Sequence, residues 1–187
     1  MSLWCSGDVP DSDTGAPPRV VLVTAAALAV ALAVAVAAFA LTQRSSDSAD
    51  SGPLPLVPVP APFASAPGCT TLLGAVPTEL TSNGTSLKVR ALADPAPPAT
   101  VAWGSDDPLV LRCGLDRPPE LTPTAALRLV NKVQWLQVPG DGASTWYVVD
   151  REVYAALTVP DSAGTGPLQQ ISDTVAAKLP ARPLRFS

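Results

Sequence analysis

The chain is predicted to carry a small α+β domain: one largely antiparallel sheet with one or two packed helices, after a transmembrane helix and a Pro-rich linker. Three observations carry that expectation. Short β-branched and aromatic runs recur after residue 85, separated by Gly, Pro and Asp turns. A stripe of Leu168, Ile171, Val175 and Leu179 at helical spacing follows them. Ahead of both, Val20–Leu41 is a run of 22 residues without a charge, long enough as a helix to cross a hydrocarbon core of about 30 Å.

The apolar run is read as a membrane helix over residues 20–42. Its Val, Leu and Phe residues supply roughly −3 to −7 kcal/mol of insertion energy. Arg19 and Arg44 bracket it, one on each side, so basic residues do not set its direction. The alternative is an export signal cleaved near Ala40, where Ala38-Phe39-Ala40 has the small-x-small form. A retained signal anchor fits better, because the run exceeds a normal signal core and follows an acidic segment with Asp8, Asp11 and Asp13. Residues 1–19 then form a short cytoplasmic tail. Ala25, Ala29, Ala33 and Ala37 make a small-residue stripe on which a second helix could pack; an Ala-rich segment also produces such stripes by chance, which is the plainer reading.

Residues 43–68 read as a Pro/Ser-rich linker. Six prolines between Pro53 and Pro67 favour extended polyproline II, a stiff stalk of roughly 45 Å. Residues 69–187 are the extracytoplasmic domain, of a size that holds one modest core. Cys69–Leu80 reads as a short helix that Pro77 ends or kinks. Strands are predicted at Ser86–Leu92, Ala99–Trp103 and Leu109–Cys113, and a helical turn or two at Thr124–Asn131. Val133–Val138, Thr145–Val149 and Val153–Val159 follow as an antiparallel meander, turning at Pro139-Gly140-Asp141-Gly142 and at Asp150-Arg151-Glu152. A helix over Pro167–Leu179 closes the series, stopped by Pro180. Asn83-Gly84-Thr85 matches a glycosylation acceptor but reads better as a turn.

Composition restricts the chemistry. The sequence has no His, which removes Ser-His-Asp and Cys-His triads and His-ligated metals. No Cys-x-x-Cys or phosphate loop is present, and neither cofactor nor metal is expected. A net charge of −4 argues against nucleic acid as a partner. Nine Arg against three Lys, with abundant Ala, Val, Pro and Gly, is the usage of a GC-rich bacterial genome.

The three Cys divide as Cys5 before the apolar run and Cys69 and Cys113 after it. That suits an oxidised pair outside the membrane and a lone thiol inside; two unrelated buried thiols are the alternative. Trp103, Trp135 and Trp146 are candidates for a ring-stacking platform, though each lies in an apolar strand and core packing is the plainer reading. Arg112 is a candidate for binding an anionic group; an ion pair with a carboxylate such as Asp116 is the simpler role. Asp106-Asp107 is the one adjacent carboxylate pair and reads as a solvated turn before Pro108.

Several of these motifs stand together: Cys69 with Leu72-Leu73 and Val76-Pro77; Ala102-Trp103-Gly104; Val110-Leu111-Arg112-Cys113-Gly114; Val133-Gln134-Trp135-Leu136; and Arg151–Tyr154 leading to Val159-Pro160. In these the chain resembles the actinobacterial family called domain of unknown function 3515, over about Cys69–Pro180. The resemblance implies one N-terminal membrane segment or signal followed by one exported domain. It therefore favours a Cys69–Cys113 disulfide and an outward-facing C-terminal side. It implies no activity. The resulting expectation is a non-enzymatic, single-pass protein of the plasma membrane whose outer domain binds or scaffolds a partner. A glycan- or peptide-binding module is the alternative, with Trp103, Arg112 and Trp135 as contacts, and a carboxylate-based enzyme is third.

Overall fold

The computed structural model describes residue 23, residues 27–38 and residues 52–186. It divides into two units, Met1–Asp47 and Ser48–Ser187. In the first, residues 27–38 are helical (α1) with exposed side chains. Among the described residues no helix is long and apolar enough to cross a membrane. The expected tail 1–19, both ends of the expected 20–42 span and the polar start of the linker lie outside the described residues.

The second unit is built on one eight-stranded sheet with order β1-β2-β3-β4-β8-β7-β6-β5. The strands are β1 (Glu79–Ser82), β2 (Thr85–Arg90), β3 (Thr100–Trp103), β4 (Leu109–Leu115), β5 (Leu127–Val130), β6 (Val133–Pro139), β7 (Ala143–Val148) and β8 (Tyr154–Pro160). Every pairing is antiparallel. Two four-stranded meanders thus meet where β4 pairs with β8. The helices are α2 (Pro67–Leu73) and α3 (Gly166–Lys178).

Turn chemistry sets both outer hairpins. Asn83 and Gly84 have φ of 49° and 78°, and Asn131 and Lys132 have φ of 45° and 67°. Two consecutive positive φ values in a two-residue loop give the twist that a tight hairpin needs. The Asn131-Lys132 turn corrects the expectation for Thr124–Asn131, which is not helical. Its second half is β5, paired through Leu127↔Leu136 and Arg128↔Trp135. The helix-forming residues there yield to pairing with an apolar neighbour strand. The helix expected over Cys69–Leu80 is also shorter: α2 ends at Gly74, well before Pro77, and Glu79–Ser82 is instead the edge strand β1.

Helix α3 lies against the concave face and touches both edge strands, β1 and β5, so the sheet is curled around it. Leu168, Ile171 and Val175 sink into the same core as Trp103, Leu111, Trp135 and Leu157. Polar groups fix the helix at each edge. Thr81 N donates to Gln170 Oε1 (3.3 Å) and Gln170 Nε2 donates to Thr81 O (3.1 Å), so one side-chain amide satisfies the edge backbone as a further strand would. Asn131 Nδ2 donates to Asp173 Oδ1 at 2.8 Å on the other side. Gly166 is close-packed on β1, where a Cβ would overlap Thr81 O.

A disulfide joins Cys69 of α2 to Cys113 of β4, with Cα atoms 5.5 Å apart. The residue after Cys113 is a bulge: Cys113 faces Ala155 while Leu115 faces Tyr154. Gly114 supplies the required φ of 82°. The bulge moves Leu115 from the helix-covered face to the second face, where it joins Leu121, Leu136, Tyr154 and Ala156 in a smaller core.

The proline segment does not stand away as a free stalk over its described length. Leu54 N donates to Ala91 O (2.8 Å), Ala93 N donates to Leu54 O (2.9 Å), and Phe63 N donates to Gly114 O (2.9 Å). Proline removes donors but leaves the intervening N–H groups free to pair, and the segment uses them on the sheet. A Cβ on Gly114 would overlap the backbone of Phe63 and Ala64. Gly114→Ala is therefore expected to lower the melting temperature and speed amide exchange at Phe63. Gly142→Ala is the control: its φ is 70° with open space around the Cβ, so it should cost only the left-handed strain of about 1–2 kcal/mol. Equal losses for the two variants would contradict a close backbone crossing.

Candidate functional site

A groove of about 600 Å³ lies at the bulged end of β4. Phe63 and Ala66 of the docked segment form one wall, Leu115, Val153 and Tyr154 the floor, and Asp116, Arg117, Glu152 and Arg185 the rim. The Gly114 bulge builds it, because the bulge turns Leu115 outward and admits the proline segment beside it. Arg185 is fixed in place: its guanidinium lies 5.3 Å from the Tyr154 ring and Nη2 donates to Glu152 O at 2.8 Å. Arg117 Nη1 donates to Leu121 O at 2.8 Å. Phe63 is 55 % exposed, a large ring held in the open by its own backbone bond. An apolar floor of this volume under a rim of both charges suits an amphipathic ligand or a peptide segment.

The Trp candidates separate. Trp103 and Trp135 are both 0 % exposed, so they present no face to a ligand and the three-ring platform is not assembled. Their indole N–H groups are satisfied internally, Trp103 by Pro77 O (2.8 Å) and Trp135 by Ser172 Oγ (2.9 Å). Ser172 passes the bond on to Leu168 O at 2.7 Å. Only Trp146 is half-buried. It lines a cleft of about 200 Å³ with Gln137, Ser144, Asp161 and Thr165, and Arg128 lies 6.0 Å from its ring centre.

Arg112 does not form the expected ion pair. The ion pairs among the described residues are Lys88–Glu79 and Arg151–Asp150, and Asp116 lies on the groove rim. Arg112 is half-buried on the second face, and its Nε is enclosed without an acceptor. Burial lowers its pKa, with Tyr147 opposing. Burial also raises the Tyr147 pKa, Glu120 adds to that, and Arg112 opposes it.

Asp150 and Arg151, read from sequence as a turn, form a buried ion pair of 2.8 Å with side chains 5 % and 2 % exposed. Arg151 also donates to Asp150 O and Lys132 O, both at 3.0 Å. This pair ties the β7–β8 connection to the β5–β6 turn. Nothing in the sequence marks it as buried. Asp107 accepts from Ser162 Oγ at 3.1 Å in an open cleft that also contains Asp106. No group of three metal-ligating side chains occurs among the described residues.

No curated protein and no solved structure shows significant similarity to the chain. The family model described as "Protein of unknown function (DUF3515)" matches residues 26–184. The match begins inside the apolar run and includes the proline segment, in keeping with a segment that is part of the folded unit. By that match, which spans most of its length, the chain belongs to the DUF3515 family.

Proposed function

We propose that the protein is a single-pass, membrane-anchored component of a bacterial cell envelope whose outer domain binds a partner in the groove beneath Phe63. The anchor reading is supported by the 22 uncharged residues of Val20–Leu41. The outward orientation is supported by the Cys69–Cys113 disulfide, since such bonds persist in oxidising compartments. The observation that carries the binding role is the groove itself, with its apolar floor, fixed Arg185 and exposed Phe63. The binding reading needs no catalytic group, and a sequence without His offers few.

Two measurements test this. A membrane-impermeant maleimide applied to intact cells should leave Cys5 unlabelled, and permeabilisation should expose it; labelling in intact cells would reverse the orientation. Affinity capture from detergent-solubilised envelope should recover a component with the wild type that Phe63→Asp loses by tenfold or more. Equal recovery by both would remove the groove from the proposal.

A second reading follows from Trp146. A half-buried indole beside an amide, a carboxylate and hydroxyls is a setting that suits one sugar ring. Trp146→Ala should then weaken retention on envelope polysaccharide while leaving the groove-dependent capture unchanged.

A further inference from the structure

The two outer hairpins put equivalent backbone groups on the two edges of the sheet. Each turns on two residues, Asn83-Gly84 or Asn131-Lys132, after a closing pair, Ser82↔Thr85 or Val130↔Val133. In such a hairpin the closing pair exchanges both main-chain hydrogen bonds and the next pair exchanges none. The residue before the closing pair therefore aims its N–H and C=O outward. On β1 this residue is Thr81, and Gln170 of α3 meets both groups. On β5 it is Leu129, and Leu127 repeats the pattern two residues earlier. Val149 N donates to Gln134 O at 3.1 Å, so the residue opposite Leu129 turns its carbonyl towards β7, as this alternation requires. On the β5 side the hydrogen bonds to α3 come from the turn residue Asn131, to Gln169 O and Asp173. Among the described residues, no hydrogen bond from outside the β5–β6 hairpin reaches the main chain of Leu127 or Leu129.

The side chains decide what can pair there. Leu129 is 73 % exposed and shares the second face with Leu127, which packs against the smaller core. Arg128 lies on the other face, exposed, with its guanidinium 6.0 Å from the Trp146 ring centre. No carboxylate pairs with it among the described residues. A second copy of β5, in the antiparallel register that uses all four outward groups, would set Leu127 opposite Leu129 and Arg128 opposite Arg128. Like charges directly opposite each other are destabilising, so this edge does not suit itself. It suits a strand that brings a carboxylate to the same place.

We propose that the β5 edge binds an extended segment of a partner protein as a further antiparallel strand, with an acidic residue opposite Arg128 and apolar residues opposite Leu127 and Leu129. The outward N–H and C=O groups of the two leucines supply the main-chain bonds, and the alternating side chains supply the selectivity. The acid pairs with Arg128, and the apolar residues cover the exposed Leu129 that an edge strand ordinarily avoids. The edge shares no residue with the lining of the groove, so it stands whether or not the groove binds a partner.

The test uses the full-length protein in micelles, with the β5 amides followed by NMR and hydrogen exchange. In the free protein the amides of Leu127 and Leu129 should exchange faster than those of Arg128 and Val130. The peptide acetyl-Thr-Val-Glu-Val-Thr-amide should shift the two leucine amides saturably and slow their exchange. Lys in place of its Glu should weaken binding several-fold, and methylating both Val amide nitrogens should abolish it. Arg128→Glu should reverse the preference between the Glu and Lys peptides. Leu129→Pro removes a donor that the hairpin does not use, so it should abolish binding and keep the melting temperature. A response that does not saturate, equal binding of the two peptides, or retained binding of the methylated one would overturn the proposal. So would protection of Leu127 and Leu129 without peptide: protection lost on dilution assigns the edge to a second copy, and protection at every concentration assigns it to the chain's own residues. The Arg128 variant keeps the test decisive if Leu129→Pro does not fold.

Discussion

Replacing Cys69 and Cys113 together by Ala is expected to lower the unfolding free energy by about 4 kcal/mol, the loop-closure term for the 44-residue separation of the pair. The bond ties α2 to the strand that carries the Gly114 bulge, so the loss should be uneven. Residues 52–68 reach the sheet through the backbone bonds of Leu54 and Phe63, and the disulfide anchors the helix that follows them. Their amides should exchange first, before those of β7 and β8. Urea midpoints of the oxidised wild type and the double variant measure the total, and native-state hydrogen exchange measures its distribution. A loss below about 1 kcal/mol would mean that the unfolded chain is already constrained and the entropic argument fails here.

Arg151→Met is expected to cost about 3–5 kcal/mol, because it leaves the Asp150 carboxylate buried without its cation. The partner variant Asp150→Leu should cost a similar amount. Combining the two should recover most of the loss, since two apolar side chains of comparable volume replace a desolvated pair. The double-mutant cycle isolates the coupling. Additive losses would show that Arg151 acts through its bonds to Asp150 O and Lys132 O rather than through the charge.

The parts of the fold that were legible in sequence are those where a local signal and the tertiary structure agree. The β6–β8 meander follows from alternating apolar runs and the Pro139–Gly142 turn, and α3 follows from Leu168, Ile171 and Val175 at helical spacing, all three buried. The two outer edges were less legible. Glu79–Ser82 is four residues long with two outward polar side chains, and the Asn83-Gly84 turn that follows it was the one available sign of a preceding strand. Leu127–Val130 follows helix-favouring Ala residues and is a strand only because Val133–Leu136 lies beside it. The proline segment was legible in conformation but not in position, because its bonds to Ala91 and Gly114 are long-range backbone contacts with no side-chain signature.

The candidate sites show the same division. The pairing of Cys69 and Cys113 was favoured by their distribution, and the core reading of Trp103 and Trp135 by their apolar strands, which their burial bears out. Arg112 was visible as a charge on an apolar strand. Its missing counter-ion was not, because that depends on which side chains stand across β8 and β7. The groove was invisible from sequence: Phe63, Leu115, Tyr154 and Arg185 span more than 120 positions and meet only through the Gly114 bulge and the docked segment.

A photoreactive amino acid placed at Phe63 and activated in intact cells tests the binding role most directly. A groove that receives a partner predicts one discrete crosslinked species, absent when the same residue is placed at the exposed hairpin tip Asp141. No adduct at Phe63, or the same adducts at both positions, would contradict it.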